Sequence, residues 1–168
     1  MSKGAGVTGA LPAAVIDSSA LMSILLGEAA APLFMAGLQA TSKLYIGAPT
    51  RAETWLAAFN AKGLAGAQGV EALLLALQVE TVDFTQGALP QFIEGAQTYH
   101  HKVDPKARLN LGDLFTYALV RDMNLPLFFQ GADFTNTTVE NAMLLLGHTL
   151  SDKGVPLPKH DRSKTKQD

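Results

Sequence analysis

Cysteine is absent from the 168 residues, which excludes disulfides, thiolate zinc sites and a cysteine nucleophile, and is compatible with a reducing cytoplasm. Aromatic residues are few, with Trp55 the only tryptophan. No apolar run reaches the roughly 18 residues of a membrane-spanning helix, so no membrane association is expected. Neither sign of charge dominates. A net charge of −2 offers no global attraction for a polyanion, so a nucleic acid must be drawn by a local patch or a bound metal. The opening Met1-Ser2-Lys3 stretch lacks the apolar centre of a secretory signal, and residues 1–11 read as a flexible leader. What the chain does have is apolar content: 48% hydrophobic residues at a one-domain length provide a real core.

Short apolar runs alternate with helical stretches. Strands are expected at 13–16, 43–46, 79–84 and 127–129, and helices at 20–26, 31–40, 50–62, 65–77, 87–101 and 111–123. Gly63 separates the third and fourth helices, and Asn124 with Pro126 ends the last. Residues 143–146 fit helix or strand equally. From Ser151 the chain is polar and charged, with Pro156 and Pro158, a composition that predicts disorder. The folded domain is therefore placed at 12–147 and a polar tail at 148–168. Alternating strands and helices imply an α/β fold, a short parallel sheet flanked by helices on both faces. Chemistry in such sheets gathers outside the carboxyl ends of the strands.

Four acids sit where an apolar run meets a turn: Asp17, Glu53, Asp113 and Asp133. An isolated carboxylate is too costly to bury alone, so acids near a core are paired, capped or metal-bound. If these four converge, their repulsion calls for divalent cations, and hard oxygen ligands suit Mg²⁺ or Mn²⁺. Each also has a plainer role. Thr50-Arg51-Ala52-Glu53 has the form of a capping box, and Asn110-Leu111-Gly112-Asp113 has the same shape. Asp133 fits an ordinary turn, and Asp17 fits a cap on the helix that follows it.

The local sequences around the acids carry more than the acids alone. Val15-Ile16-Asp17-Ser18-Ser19-Ala20, Pro49-Thr50-Arg51-Ala52-Glu53, Leu109-Asn110-Leu111-Gly112-Asp113 and Gly131-Ala132-Asp133-Phe134 together resemble PIN-domain ribonucleases, most closely the VapC-type toxins of bacterial toxin–antitoxin pairs. The resemblance spans roughly residues 13–140. It implies a PIN-like three-layer sandwich and metal-dependent endoribonuclease activity, hydrolysing RNA phosphodiesters with one or two Mg²⁺ or Mn²⁺ ions. It implies Asp17 and Asp113 as the main ligands, Glu53 completing the cluster, and Asp133 helping to hold a second, weaker ion. Ser18 or Ser19 on one side, and Thr135 or Asn136 on the other, are expected to hydrogen-bond an acid or the phosphate. It further implies a homodimer and a cognate antitoxin that lies in an apolar groove near the acids, all in the cytoplasm.

The loop from His100 to Arg108 concentrates positive charge before Asp113, and Lys102, Lys106 and Arg108 are candidate RNA phosphate contacts. His100 and His101 invite a metal reading, but adjacent helical residues point about 100° apart, so they read as surface histidines. Trp55 reads as core or interface. Helices 20–26, 50–62 and 65–77 hold more apolar residues than one buried stripe needs, a mark of protein contacts. Two other readings compete: a different metal-dependent phosphoesterase acting on DNA or small esters, and a non-catalytic module that keeps only the fold. The presence of all four acids argues against the second.

Overall fold

The computed structural model describes residues 9–158. The chain order is β1 (Ala14–Ile16), α1 (Ser18–Leu26), α2 (Ala31–Gln39), β2 (Leu44–Gly47), α3 (Ala48–Ala76), β3 (Glu80–Val82), α4 (Leu89–Tyr99), α5 (Leu111–Met123), β4 (Leu127–Phe128), α6 (Ala142–Leu145), β5 (Thr149–Leu150) and β6 (Pro156–Leu157). Four strands form a parallel sheet in the order β3-β2-β1-β4. The expected α/β architecture is present.

The pleat sorts the core into two layers. Ala14, Ile16 and Phe128 pack with Phe34, Leu38 and Val70 from α2 and α3 on one face. Val15, Leu127 and Phe129 pack with Leu114 and Tyr117 of α5 on the other. Successive strand residues point to opposite faces, so a three-residue strand serves both layers only if every residue is apolar. Ala-Val-Ile meets that need, and all three are fully buried. Burying Val15 or Ile16 contributes about 1.5–3 kcal/mol relative to exposure.

Helix α3 is two segments. Lys62 and Gly63 leave helical geometry, and Gly63 takes φ +65°, a conformation costly to any residue with a Cβ. Arg51 nevertheless pairs with Glu71 and donates to the Thr81 hydroxyl at 2.8 Å. Residues that far apart in a straight helix would be separated by about 30 Å, so the chain folds back at the glycine. The two helices expected on either side of Gly63 are therefore a helical hairpin, clasped by Arg51. Of residues 143–146, open between helix and strand, Met143 to Leu145 lie in the single turn α6, capped by the Asn141 side chain, and Leu146 is its C-cap.

Two expectations at the chain ends give way. Leu11, placed in the flexible leader, is buried and exchanges backbone hydrogen bonds with the 40–42 turn. Residues 1–8 lie outside the described residues. At the other end, residues 149–157 form an antiparallel hairpin where disorder was expected. Composition misled there because Val155 and Pro156 pack inward, supplying apolar contact that the polar average hides. Residues 159–168 lie outside the described residues. No helix among the described residues is long and apolar enough to cross a membrane.

Candidate active site

The chain steps from β1 outward to β2 and β3, then returns to β4 on the other side of β1. Loops leaving β1 and β4 part company at their carboxyl ends, which opens a crevice at this switch point. Asp17 directly follows β1, and Asp133 lies in the loop after β4. Glu53 enters from the start of α3, which leaves β2 without a loop. Asp113 stands in the first turn of α5, a helix that runs back against the strands and so begins at the same edge.

Asp17 is the most enclosed, only 5% exposed. Its Oδ2 accepts from the Ser19 backbone N–H at 3.0 Å and the Ser19 hydroxyl at 2.6 Å. Its Oδ1 accepts from the Thr116 hydroxyl at 3.2 Å. The Ser19 hydroxyl also accepts the Gln130 N–H at 3.0 Å, tying α1 to the strand after which Asp133 follows. Thr116 is itself held by Thr50, with 3.0 Å between the two buried hydroxyls. Asp17 is thus both the cap of α1 and the anchored member of the cluster.

The two capping-box sequences behave differently. Asn110 and Asp113 form the box: Asp113 Oδ2 accepts the Asn110 N–H at 2.9 Å, and Asn110 Oδ1 accepts the Asp113 N–H at 3.1 Å. Thr50 and Glu53 do not. Helix α3 starts at Ala48, with Gly47 as its N-cap, so Thr50 lies inside the helix and turns inward to Thr116. Glu53 is released from capping and reaches toward α5. A Cβ placed on Gly112 would stand 2.6 Å from both Glu53 carboxylate oxygens, so only glycine next to Asp113 admits this approach.

The carboxyl shifts agree with that placement. Burial pushes the Asp113 carboxyl up to about 7, its hydrogen bond from Asn110 opposes the rise, and the charges of Asp17, Asp133 and Glu53 add to it. Glu53 is raised by partial burial and then by Asp17. Asp133 is raised by burial, lowered by Arg108 and raised by Asp17. Glu53 and Asp133 keep open faces to water, so solvent screening limits what they feel. All four acids therefore share one field.

The other expected residues divide. Ser19, rather than Ser18, holds Asp17, because the first helical turn aims the second serine back at its own cap. Thr135 donates to the Gly131 carbonyl at 3.4 Å and Asn136 to the Lys106 carbonyl at 3.1 Å, so both brace loops rather than acids. Lys102, Lys106 and Arg108 are exposed, and Arg108 is the one whose charge reaches an acid. His100 and His101 lie past the end of α4, which stops at Tyr99, and their rings approach to 4.0 Å instead of diverging. Trp55 stacks on Phe59 at 5.4 Å on an exposed face of α3 and is not core. Thr116 and Thr50 went unread as site residues. The signal for Thr116 was its place one turn after Asp113, on the same helix face.

A divalent cation fits this donor set. The acids crowd one another in a partly desolvated crevice, hydroxyls orient Asp17, and no ion pair among the described residues neutralises any of the four. Among the described residues no three potential ligands stand at coordinating distances, so these are converging carboxylates rather than a closed coordination sphere. Beside α1, a groove of about 250 Å³ lined by Met22, Leu25, Leu26, Ala58, Ala61 and Ala65 runs between that helix and α3.

Residues 14–140 match the family model of the PIN domain. Ribonuclease VapC42 of Mycobacterium tuberculosis is 31% identical over 130 residues, covering 76% of this chain and 98% of that relative. Among solved structures, VapC20 of Mycobacterium tuberculosis, described as a sarcin–ricin loop cleaving toxin, superposes with a TM-score of 0.61 at 17% identity, over 74% of this chain and 95% of its own. VapBC2 of Rickettsia felis, solved bound to a DNA fragment from its promoter, gives a TM-score of 0.59 at 13% identity, over 77% and 96%. The fold, the four acids at the switch point and the length of the match agree: this chain belongs to the PIN-domain family and, within it, to the VapC ribonucleases.

Proposed function

We propose that this protein is a divalent-metal-dependent endoribonuclease, the toxin of a toxin–antitoxin pair, which cleaves RNA by attack of water on phosphorus. The observation that carries this reading is the placement of Asp17, Glu53, Asp113 and Asp133 together at the carboxyl edge of the sheet, in a chain of this family. Asp17 and Asp113 are the principal ligands of one Mg²⁺ or Mn²⁺, Glu53 completes the set, and Asp133 serves a second, weaker ion. When bound, such an ion neutralises phosphate charge and makes the attacking water more acidic. Thr116 and Ser19 hold the Asp17 carboxylate in one orientation, so it need not reorganise when substrate arrives. Arg108, Lys106 and Lys102 take the flanking phosphates, Arg108 being the one whose charge acts on an acid.

The partner is an antitoxin whose apolar segment fills the groove between α1 and α3, and the chain pairs with a second copy through exposed apolar helix faces in the cytoplasm. Leu26 on α1 and Leu56, Phe59 and Leu64 on α3 are exposed, which supports protein contacts by these helices.

Purified protein freed of antitoxin, incubated with total RNA and Mg²⁺ or Mn²⁺, should yield defined fragments. Those fragments should vanish with chelator and with Asp17→Asn. Cleavage that survives both controls would overturn the metal-site reading, and activity on phosphate esters or DNA without RNA cleavage would move the assignment to another phosphoesterase.

A further inference from the structure

Of the four acids, Asp133 is held least directly. Asp17 takes hydrogen bonds from Ser19 and Thr116, Asp113 takes one from Asn110, and the Glu53 carboxylate rests on Gly112. No hydrogen bond to the Asp133 carboxylate occurs among the described residues, so its place is set by the backbone of its loop.

That loop is pinned at three points. Gln130 N–H donates to Ser19, and the Asn136 amide donates to the Lys106 carbonyl. Between them, Gly131 N–H donates to the Gly154 carbonyl at 3.2 Å, a contact from the β5–β6 hairpin two residues before Asp133. The approach is close enough that a Cβ on Gly154 would collide with the Gly131 backbone. Both glycines have positive φ, +108° for Gly131 and +69° for Gly154. The hairpin is not a loose end: Ser151 accepts the Val155 N–H at 3.1 Å, and Val155 and Pro156 pack inward. It also lies beyond the residues 14–140 that the family model matches.

We infer that the β5–β6 hairpin is a positioning element of the nuclease site, its Gly154 setting the backbone of the loop that carries Asp133. The inference rests on the reading above that Asp133 belongs to the metal-holding set. It makes a segment outside the matched domain part of what shapes the site. The glycine pair supplies the reason: only glycine at 154 has both the φ and the clearance to lie against Gly131.

The test uses the full chain with three substitutions. Gly154→Ala puts an atom into the contact. Ser151→Ala loosens the hairpin without adding one. Gly27→Ala is the control, since Gly27 has φ +67° and nothing within 4 Å of its missing Cβ. Three quantities are measured: Mn²⁺ binding without RNA, from the paramagnetic resonance of free Mn²⁺; kcat and KM on an oligoribonucleotide that the unsubstituted protein cleaves; and Tm. Gly154→Ala should lower kcat about 10–100-fold with KM little changed, the scale of a misplacement of about 1 Å. It should also raise the Mn²⁺ half-saturation severalfold. Ser151→Ala should move both in the same direction by less, and Gly27→Ala should lower Tm alone. Unsubstituted kcat and Mn²⁺ half-saturation in Gly154→Ala, or in Ser151→Ala should Gly154→Ala not fold, overturn the inference. Asp17→Asn run alongside separates the two ideas: unaltered cleavage and Mn²⁺ binding there would sink the metal-site reading itself.

Discussion

Helices α3 and α5 both begin at the carboxyl edge of the sheet, and both carry an N-terminal sequence of capping-box form. At α5 the box closes, and Asp113 serves the helix and the carboxylate cluster at once. At α3 the helix starts earlier, at Ala48 and Pro49, and the same pattern falls inside it. Thr50 then becomes a buried link to Thr116, and Glu53 turns to the cluster. Capping and site chemistry are therefore not alternatives. A helix N-terminus favours negative charge whether the carboxylate ends on its own N–H groups or on a cation beside them.

The comparison is tested most severely by removing charge while keeping shape. Asp113→Asn keeps an oxygen that can accept the Asn110 N–H but loses its ionised form. We expect cleavage to fall about 10³-fold, the scale of losing one preorganised electrostatic group, with little change in Tm. Glu53→Gln should cost activity similarly and leave the cap of α3 untouched, because Glu53 caps nothing. Equal Tm losses in the two variants, with activity retained, would undo the distinction.

Next in size is a pH effect largest at α5. With its carboxyl raised to about 7, Asp113 in the folded protein holds a proton that the unfolded chain has already released above the ordinary carboxyl range. The folded state binds more protons in that window, so metal-free stability falls as pH rises from about 4 to about 7. Urea unfolding in chelator at pH 5 and pH 8 should show the higher stability at pH 5, and Asp113→Asn should flatten the difference. Mn²⁺ should stabilise most above pH 7, where it no longer competes with that proton.

Smaller effects separate the hydroxyl link from the cap. Thr116→Val leaves Thr50 and Asp17 short of a partner in a buried setting and should cost about 1–3 kcal/mol by denaturant unfolding, with kcat falling too. Asn110→Ala removes the cap of α5 for about 1 kcal/mol. Were Thr50 a cap, Thr50→Ala would cost the same with no effect on kcat. Instead it should loosen Thr116 and lower kcat measurably. The smallest change belongs to the basic loop: Lys106→Ala should raise KM a fewfold and reduce the salt dependence of RNA binding, leaving kcat intact.

Much of this was readable in advance because it is local. Ala14-Val15-Ile16 had to be a two-faced buried strand, Gly63 had to break a helix, and the residue after a parallel strand had to lie at the chemical edge. The family pattern around the four acids was legible for the same reason: each acid sits inside a short phrase of sequence beside a strand end or helix start. The capping-box form of Thr50-Arg51-Ala52-Glu53 stayed open beside the site reading of Glu53, because the true helix start depends on Gly47 and Pro49 at the end of β2, where strand pairing stops. Ser19 rather than Ser18 faces Asp17 by the geometry of one helical turn, below the resolution of residue type. The hairpin at 149–157 was missed because average polarity describes a segment alone, whereas Val155 and Pro156 find their apolar neighbours on α2 and in the core beside it.

The sequence by itself determined the alternation of strands and helices, the four acids and the family they mark, since these follow from periodicity, breakers and short-range chemistry. Only the tertiary structure decided which threonine orients Asp17, that Glu53 reaches across Gly112, and that a terminal hairpin braces the loop of Asp133. Those contacts join residues far apart in the chain, and no local preference encodes a distance that the packing of two sheet faces has to set.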